Sequence, residues 1–80
     1  MKKRLVAAVA STVRHFRKVR GISQEDLADK AGLDRTYISG VERGVRNITL
    51  DSLELIIDAL EVSIETFLLR VCKETDASKG

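Results

Sequence analysis

Gly32-Leu33-Asp34 leaves the chain less freedom than any other stretch. It stands between two segments with helical apolar spacing: Leu27, Ala28 and Ala31 before it, Ile38 and Val41 after it. Three residues are too few for a linker. They suffice for a tight turn in which Gly32 takes a positive φ, without the steric cost a Cβ would bring, and Leu33 plugs the corner. The helix before the turn covers about 24–31 and is capped by Ser23, with Asp26 completing a Ser-x-x-Asp form of the capping box. The helix after it covers about 35–43, opens on Asp34 as its cap and stops at Gly44. Ile38 and Val41 share its back face, so the side chains at its front end, Arg35, Thr36 and Tyr37, reach outward.

The flanking sequence supplies three more helices. Leu5, Val6, Val9, Val13, Phe16 and Val19 recur at helical spacing, which predicts one long helix over about 3–20, ended by Gly21. Residues 44–48 read as a polar loop, after which Thr49 caps a fourth helix over about 50–60. Its Leu50, Leu53, Ile56, Ile57 and Leu60 fall within an arc of roughly 120° and predict a core face. Ser63 caps a fifth helix, about 64–71, in which Ile64, Phe67, Leu68 and Val71 form one stripe while Leu69 lies on the far side. A helix apolar on two faces is either sandwiched or shared with a second subunit. In 80 residues the second reading fits better, because a chain this short buries only about 60% of its unfolded surface and gains from a partner. With no Pro to interrupt helices, the expectation is an all-α domain of five helices over 1–72, followed by a short flexible tail over 73–80.

Charge is segregated along this frame. Residues 1–20 carry Lys2, Lys3, Arg4, Arg14, Arg17, Lys18 and Arg20 with no acid, a net +7. Residues 21–34 net −3, residues 35–47 net +2 through Arg35, Arg43 and Arg46 against Glu42, and residues 48–71 net −4. The pattern predicts one basic side facing a polyanion and an acidic side facing elsewhere.

Other classes find little support. The single cysteine, Cys72, excludes an internal disulfide and a Cys-based zinc site, and reads as a small apolar residue in a reducing cytoplasm. His15, the only His, has no metal partner. Met1-Lys2-Lys3-Arg4 followed by Leu5 to Ser11 imitates a secretory signal, but its apolar run is too short, so export and membrane insertion are not expected. There is no Cys/His/Asp constellation, no Gly-rich phosphate loop and no metal set, so neither an enzyme, a cofactor nor a small-molecule ligand is expected.

Two short helices around a Gly turn, Gln24 to Arg43, have the proportions of a helix-turn-helix. The run Ser23-Gln24-Glu25-Asp26-Leu27-Ala28, with Ala31-Gly32-Leu33, Tyr37-Ile38-Ser39 and Glu42-Arg43-Gly44, resembles the lambda-repressor/Cro-like (XRE) family over about residues 8–69. Asp34-Arg35-Thr36-Tyr37-Ile38-Ser39-Gly40-Val41-Glu42-Arg43, Arg46-Asn47-Ile48-Thr49-Leu50 and Ser52-Leu53-Glu54-Leu55-Ile56 further resemble the controller proteins of restriction–modification systems. That resemblance implies a cytoplasmic homodimer on palindromic operators ahead of its own gene. One dimer would recruit RNA polymerase through its sigma subunit and activate. A second, bound cooperatively beside it, would repress, so that expression of the endonuclease is timed.

Each residue of the motif has a chemical role to test. Arg35 stands where helix-turn-helix proteins meet base edges, and its fork suits O6 and N7 of guanine; the alternative is pairing with Glu25 or Asp34. Thr36 and Ser39 can donate to bases or phosphates, or else are solvated helix hydroxyls, and Tyr37 can meet a thymine methyl or a phosphate unless it turns into the core. Gln24, at the head of its helix, suits a phosphate or a capping role. Arg46 and Asn47 suit the backbone or minor groove, and Arg43 suits DNA or an acid such as Glu42. On the first helix, Arg17, Lys18 and Arg20 read as long-range or phosphate charges, or as a solvated basic face. Glu25, Asp26 and Asp29 complement the helix dipole, and the resemblance makes them an RNA polymerase contact. Ile64, Phe67, Leu68 and Leu69, with Leu55 beside them, are the dimer-interface candidates. Rival readings are another XRE regulator (a prophage repressor or an antitoxin), an interaction module that has lost DNA binding, and a basic amphipathic membrane helix over residues 2–20.

Overall fold

The computed structural model describes residues 4–79, with side chains described over 4–76. Five helices follow in order: α1 Arg4–Arg20, α2 Gln24–Ala31, α3 Arg35–Glu42, α4 Leu50–Ala59 and α5 Ile64–Lys79. Lys2, Lys3 and Gly80 lie outside the described residues.

Three of the helices stop in the same way. After α1, α2 and α3, respectively, Gly21, Gly32 and Gly44 take φ of 69°, 70° and 72°. In each case the next residue's N–H reaches back to a carbonyl one turn inside the helix: Ile22 to Arg17, Leu33 to Ala28, Val45 to Gly40. The α2 stop is the hinge of the motif. Gly32 also donates to Asp29 O at 3.3 Å, and Leu33 packs half-buried against the core, so α3 leaves at a fixed angle. α4 ends differently, on Glu61 at φ 60°. A side chain in that region is uncommon; the Glu61 carboxylate pairs with Arg20 and Lys30, both at 3.3 Å.

The helix starts are equally local. Ser23 Oγ accepts from Asp26 N–H at 3.0 Å while Asp26 Oδ2 accepts from Ser23 N–H at 3.1 Å, a complete capping box. Thr49 caps α4 through Ser52 N–H, and Ser63 caps α5 through Thr66 N–H. Asp34 holds the cap position of α3, yet its side chain makes no capping hydrogen bond.

One core runs through the bundle. α1 packs along α5 and against α3, while α2 lies between α3 and α4. Val13, Leu27, Ile38, Ile56, Leu60 and Phe67 are fully buried at its centre. The radius of gyration, 11.6 Å, is that of one compact unit of this length, about 12 Å.

Four expectations about packing and helix ends need correction. Phe67 is not an interface residue: it is 0% exposed and stacks on Phe16 with ring centroids 6.1 Å apart, because α1 lies directly across from it. Leu50 is not core: it is 84% exposed and lines two surface grooves, one with Ile64 and Leu68 and one with Leu5 and Val6. Leu5 and Val19, near the two ends of α1, are likewise exposed. The expected tail is helical as far as Lys79, where α5 meets no Pro or Gly and gains an Arg70–Glu74 pair at 2.9 Å one turn apart.

Candidate nucleic-acid interface

α3 is gripped from behind by more than Ile38 and Val41. Glu42 shares the back face with Ile38 one turn earlier, and it is 3% exposed. A carboxylate in that position needs partners, and α1 and α2 provide them. Arg17 Nε donates to Glu42 Oε2 at 2.6 Å and its Nη2 donates to Oε1 at 3.0 Å. Gln24 Nε2 donates to the same Oε1 at 3.0 Å. Arg17 also reaches Ile22 O at 2.9 Å, and Arg14 donates to the Glu42 carbonyl. The Glu42 carboxylate raises the Arg17 pKa, chiefly by hydrogen bonding, against the opposing effect of burial, so the guanidinium keeps its charge. The network ties α1, the head of α2 and the end of α3 into one rigid block.

On the opposite face α3 is open. Arg35 and Thr36 are exposed, and among the described residues Arg35 makes no ion pair, with Glu25, Asp34 or any other acid. Its guanidinium is therefore free to donate outward. Ser39 is half-buried and its carbonyl receives Arg43 Nε at 3.4 Å, so Arg43 folds back on its own helix and does not pair with Glu42. Tyr37 is half-buried at the edge of the core, with its ring under the Arg46 guanidinium, 5.0 Å from Cζ to centroid. That distance is within cation–π range. Asn47 is exposed and flanks a groove that Leu5, Val6, Ile48 and Leu50 also line.

Gln24 sits at the head of α2 as expected, but its amide donates to Glu42, which fixes the side chain's place. Asp26 is committed to the capping box, and the Ser23 backbone hydrogen bond lowers its pKa. Glu25 and Asp29 are exposed, and among the described residues neither has an ion-pair partner. Leu55, Ile64, Leu68 and Leu69 are 45–64% exposed, and Ile64 and Leu68 line a groove with Leu50, Leu53, Glu54 and Ile57 between α4 and α5. Cys72 is a free thiol on the surface.

The basic first segment is mostly not a DNA-facing surface. Arg14 and Arg17 serve Glu42, and Arg20 donates to the carbonyls of Leu60 and Glu61 at the end of α4, at 2.9 Å each. Among its described cations only Arg4 and Lys18 have no partner. Positive charge beside α3 comes instead from Arg35, Arg43 and Arg46. Two residues that shape the site were missed from sequence: Glu42 and Gly40. Glu42 had a signal, since it stands four residues after Ile38 on the face assigned to the core. Gly40 had none, because its neighbour arrives from the following loop.

A helix braced on one side, and carrying free donors at its start and on the other side, can dock those donors into a groove of matching shape and read base edges there. Residues 13–67 match the family described as helix-turn-helix, HTH_3. The control protein C.SmaI of Serratia marcescens is 45% identical over 62 residues, covering 78% of this chain and 74% of that protein. A Neisseria meningitidis protein described as a hypothetical transcription factor is 48% identical over 65 residues, 81% of this chain and 61% of its own length. Among solved structures, the restriction–modification controller protein C.Esp1396I, as a tetramer on its natural 35 base-pair operator, superposes with a TM-score of 0.88 at 47% identity, covering 92% of this chain and 97% of that one. The chain thus belongs to the helix-turn-helix family of DNA-binding transcription regulators, within its restriction–modification controller proteins.

Proposed function

We propose that this chain is the controller of a restriction–modification system, acting in the cytoplasm as a homodimer on near-palindromic operators ahead of its own gene. The observation that carries the reading is the free Arg35 guanidinium at the exposed start of a helix locked from behind. Arg35 and Thr36 meet base edges in the major groove, Tyr37 and Ser39 sense groove shape or phosphate, and Gln24, Arg43, Arg46 and Asn47 hold the backbone. The groove between α4 and α5, with Ile64 and Leu68 and the added Leu50 and Leu53, joins two copies, and Leu55 and Leu69 flank it. Two copies of α3 then sit about 34 Å apart, one DNA turn. A second dimer binding beside the first represses what the first activates.

Glu25 and Asp29 supply the surface for RNA polymerase, through its sigma subunit, and Asp26 contributes only what its cap leaves free. The test is footprinting of the region upstream of the gene, with affinity measured across salt. Two adjacent protected palindromes, and log K falling steeply with log salt, are expected. Binding that ignores sequence, or the absence of an adjacent endonuclease and methyltransferase gene, would overturn the controller reading.

A further inference from the structure

Gly40 is buried although it lies on the outward arc of α3. At about 100° per residue, it falls between Thr36 and Tyr37, on the side away from Ile38 and Val41. A Cβ built on Gly40 would lie 2.8 Å from Arg46 Cγ, 3.5 Å from Arg46 Nε and 3.8 Å from Arg46 Cβ, its three nearest heavy atoms apart from its chain neighbours and the α3 backbone. The stem of Arg46 therefore lies flat across α3 in the space that a side chain at residue 40 would occupy. From there its guanidinium reaches the Tyr37 ring, 5.0 Å away.

We propose that Gly40 is a positioning residue for DNA recognition: by lacking a Cβ it lets Arg46, which belongs to the following loop, stack on Tyr37 and be carried by α3. This rests on the DNA-binding reading above and deepens it. An Arg on a free loop loses several rotatable bonds' worth of freedom on meeting DNA, and that ordering weakens binding. Laid along the helix and stacked on an aromatic face, the same cation arrives ordered, at a fixed offset from Arg35. Gly40 is not there for its backbone, because its φ is helical and glycine is the poorer helix former there. The close approach of Arg46 is the physical reason for it.

Gly40→Ala, Arg46→Ala and the double variant test this, and Tyr37 is a built-in reporter, being the only Tyr in a chain without Trp. The NMR shifts of the Tyr37 ring protons are read in the free protein, and operator affinity is read across salt. Gly40→Ala should keep the fold and shift the Tyr37 signals in the direction Arg46→Ala does. Its operator affinity should fall about tenfold, with a log K–log salt slope shallower by about one. The double variant should bind no worse than Arg46→Ala alone. Wild-type Tyr37 signals in Gly40→Ala, unchanged affinity, or losses that add would overturn the proposal. A Gly40→Ala chain that fails to fold would overturn it too, since more than a flexible side chain would then stand over Gly40. If the wild-type chain bound no operator, the controller reading would fall, while the Tyr37 signals would still decide the stacking.

Discussion

Arg17 and Glu42 form a two-pronged ion pair, Nε to Oε2 at 2.6 Å and Nη2 to Oε1 at 3.0 Å, that joins the first helix to the end of the recognition helix. The carboxylate is 3% exposed and the guanidinium 14%. A pair this buried is held less for stability than for geometry, because desolvating both charges offsets much of their attraction. It sets where α3 stands relative to α1 and, through Gln24, where α2 begins.

Removing one partner leaves the other charge buried and alone. Glu42→Ala is expected to destabilise the fold by about 3–5 kcal/mol, a large fraction of what so small a domain has. Replacing both, as in Arg17→Met with Glu42→Leu, should be close to neutral in urea denaturation yet weaken operator binding through misplaced Gln24. A double variant as unstable as Glu42→Ala would refute the pairing argument.

Arg35 makes no ion pair within its chain, so Arg35→Ala should leave the melting temperature nearly unchanged. Operator affinity should drop by about 1–3 kcal/mol, with discrimination lost at one base pair of each half-site. Binding to a panel of operator variants measures this; uniform weakening across the panel would make Arg35 a phosphate contact.

Phe67 and Leu68 are neighbours with opposite fates. Phe67→Ala empties a core position under Phe16 and should cost about 3–5 kcal/mol. Leu68→Glu touches only the exposed groove, so it should yield folded monomers that bind half-sites weakly. Sedimentation velocity separates the outcomes, and a Leu68→Glu protein that stays dimeric would move the interface elsewhere.

The cap of α2 titrates. Asp26 has its pKa lowered in the fold below the ordinary 3.8, mainly by the Ser23 backbone hydrogen bond. Its contribution is therefore complete above pH 3.8 and disappears as pH falls through the lower folded value. Asp26→Asn should be less stable than wild type at neutral pH and converge with it in acid. Ser23→Ala removes the other half of the cap and should cost about 1 kcal/mol at any pH above that window.

Glu25 is exposed on α2, off the reading face. Glu25→Lys should abolish activation in a reconstituted transcription assay while operator affinity holds or rises slightly. Loss of DNA binding as well would end the division of labour between α2 and α3.

What the amino-acid order determined by itself was most of what depends on neighbours within a turn or two, the Asp34 cap and the helical extension of α5 excepted. Ser23, Thr49 and Ser63 start helices, Gly21, Gly32 and Gly44 stop them, and the Gly32-Leu33-Asp34 turn sets α3 at its angle. Short-range hydrogen bonds and the 3.6-residue period write these directly into the sequence. Arg35 pointing outward followed from the same period, since Ile38 and Val41 claim the other face.

The tertiary structure decided which of several eligible side chains found a partner from a distant element. Phe67 turned inward and Leu68 outward because α1 places Phe16 against one edge of a stripe that periodicity alone treats as uniform. Leu50 stayed exposed because its first-turn position falls on the grooves beside α4 and not in the core. Arg17 and Arg20 became internal ties because Glu42 and the end of α4 came within reach. Arg46 found Tyr37 only because Gly40 leaves room above the helix. A charge or an apolar group carries no record of the element that will meet it; that is settled by packing, when the helices assemble around one core.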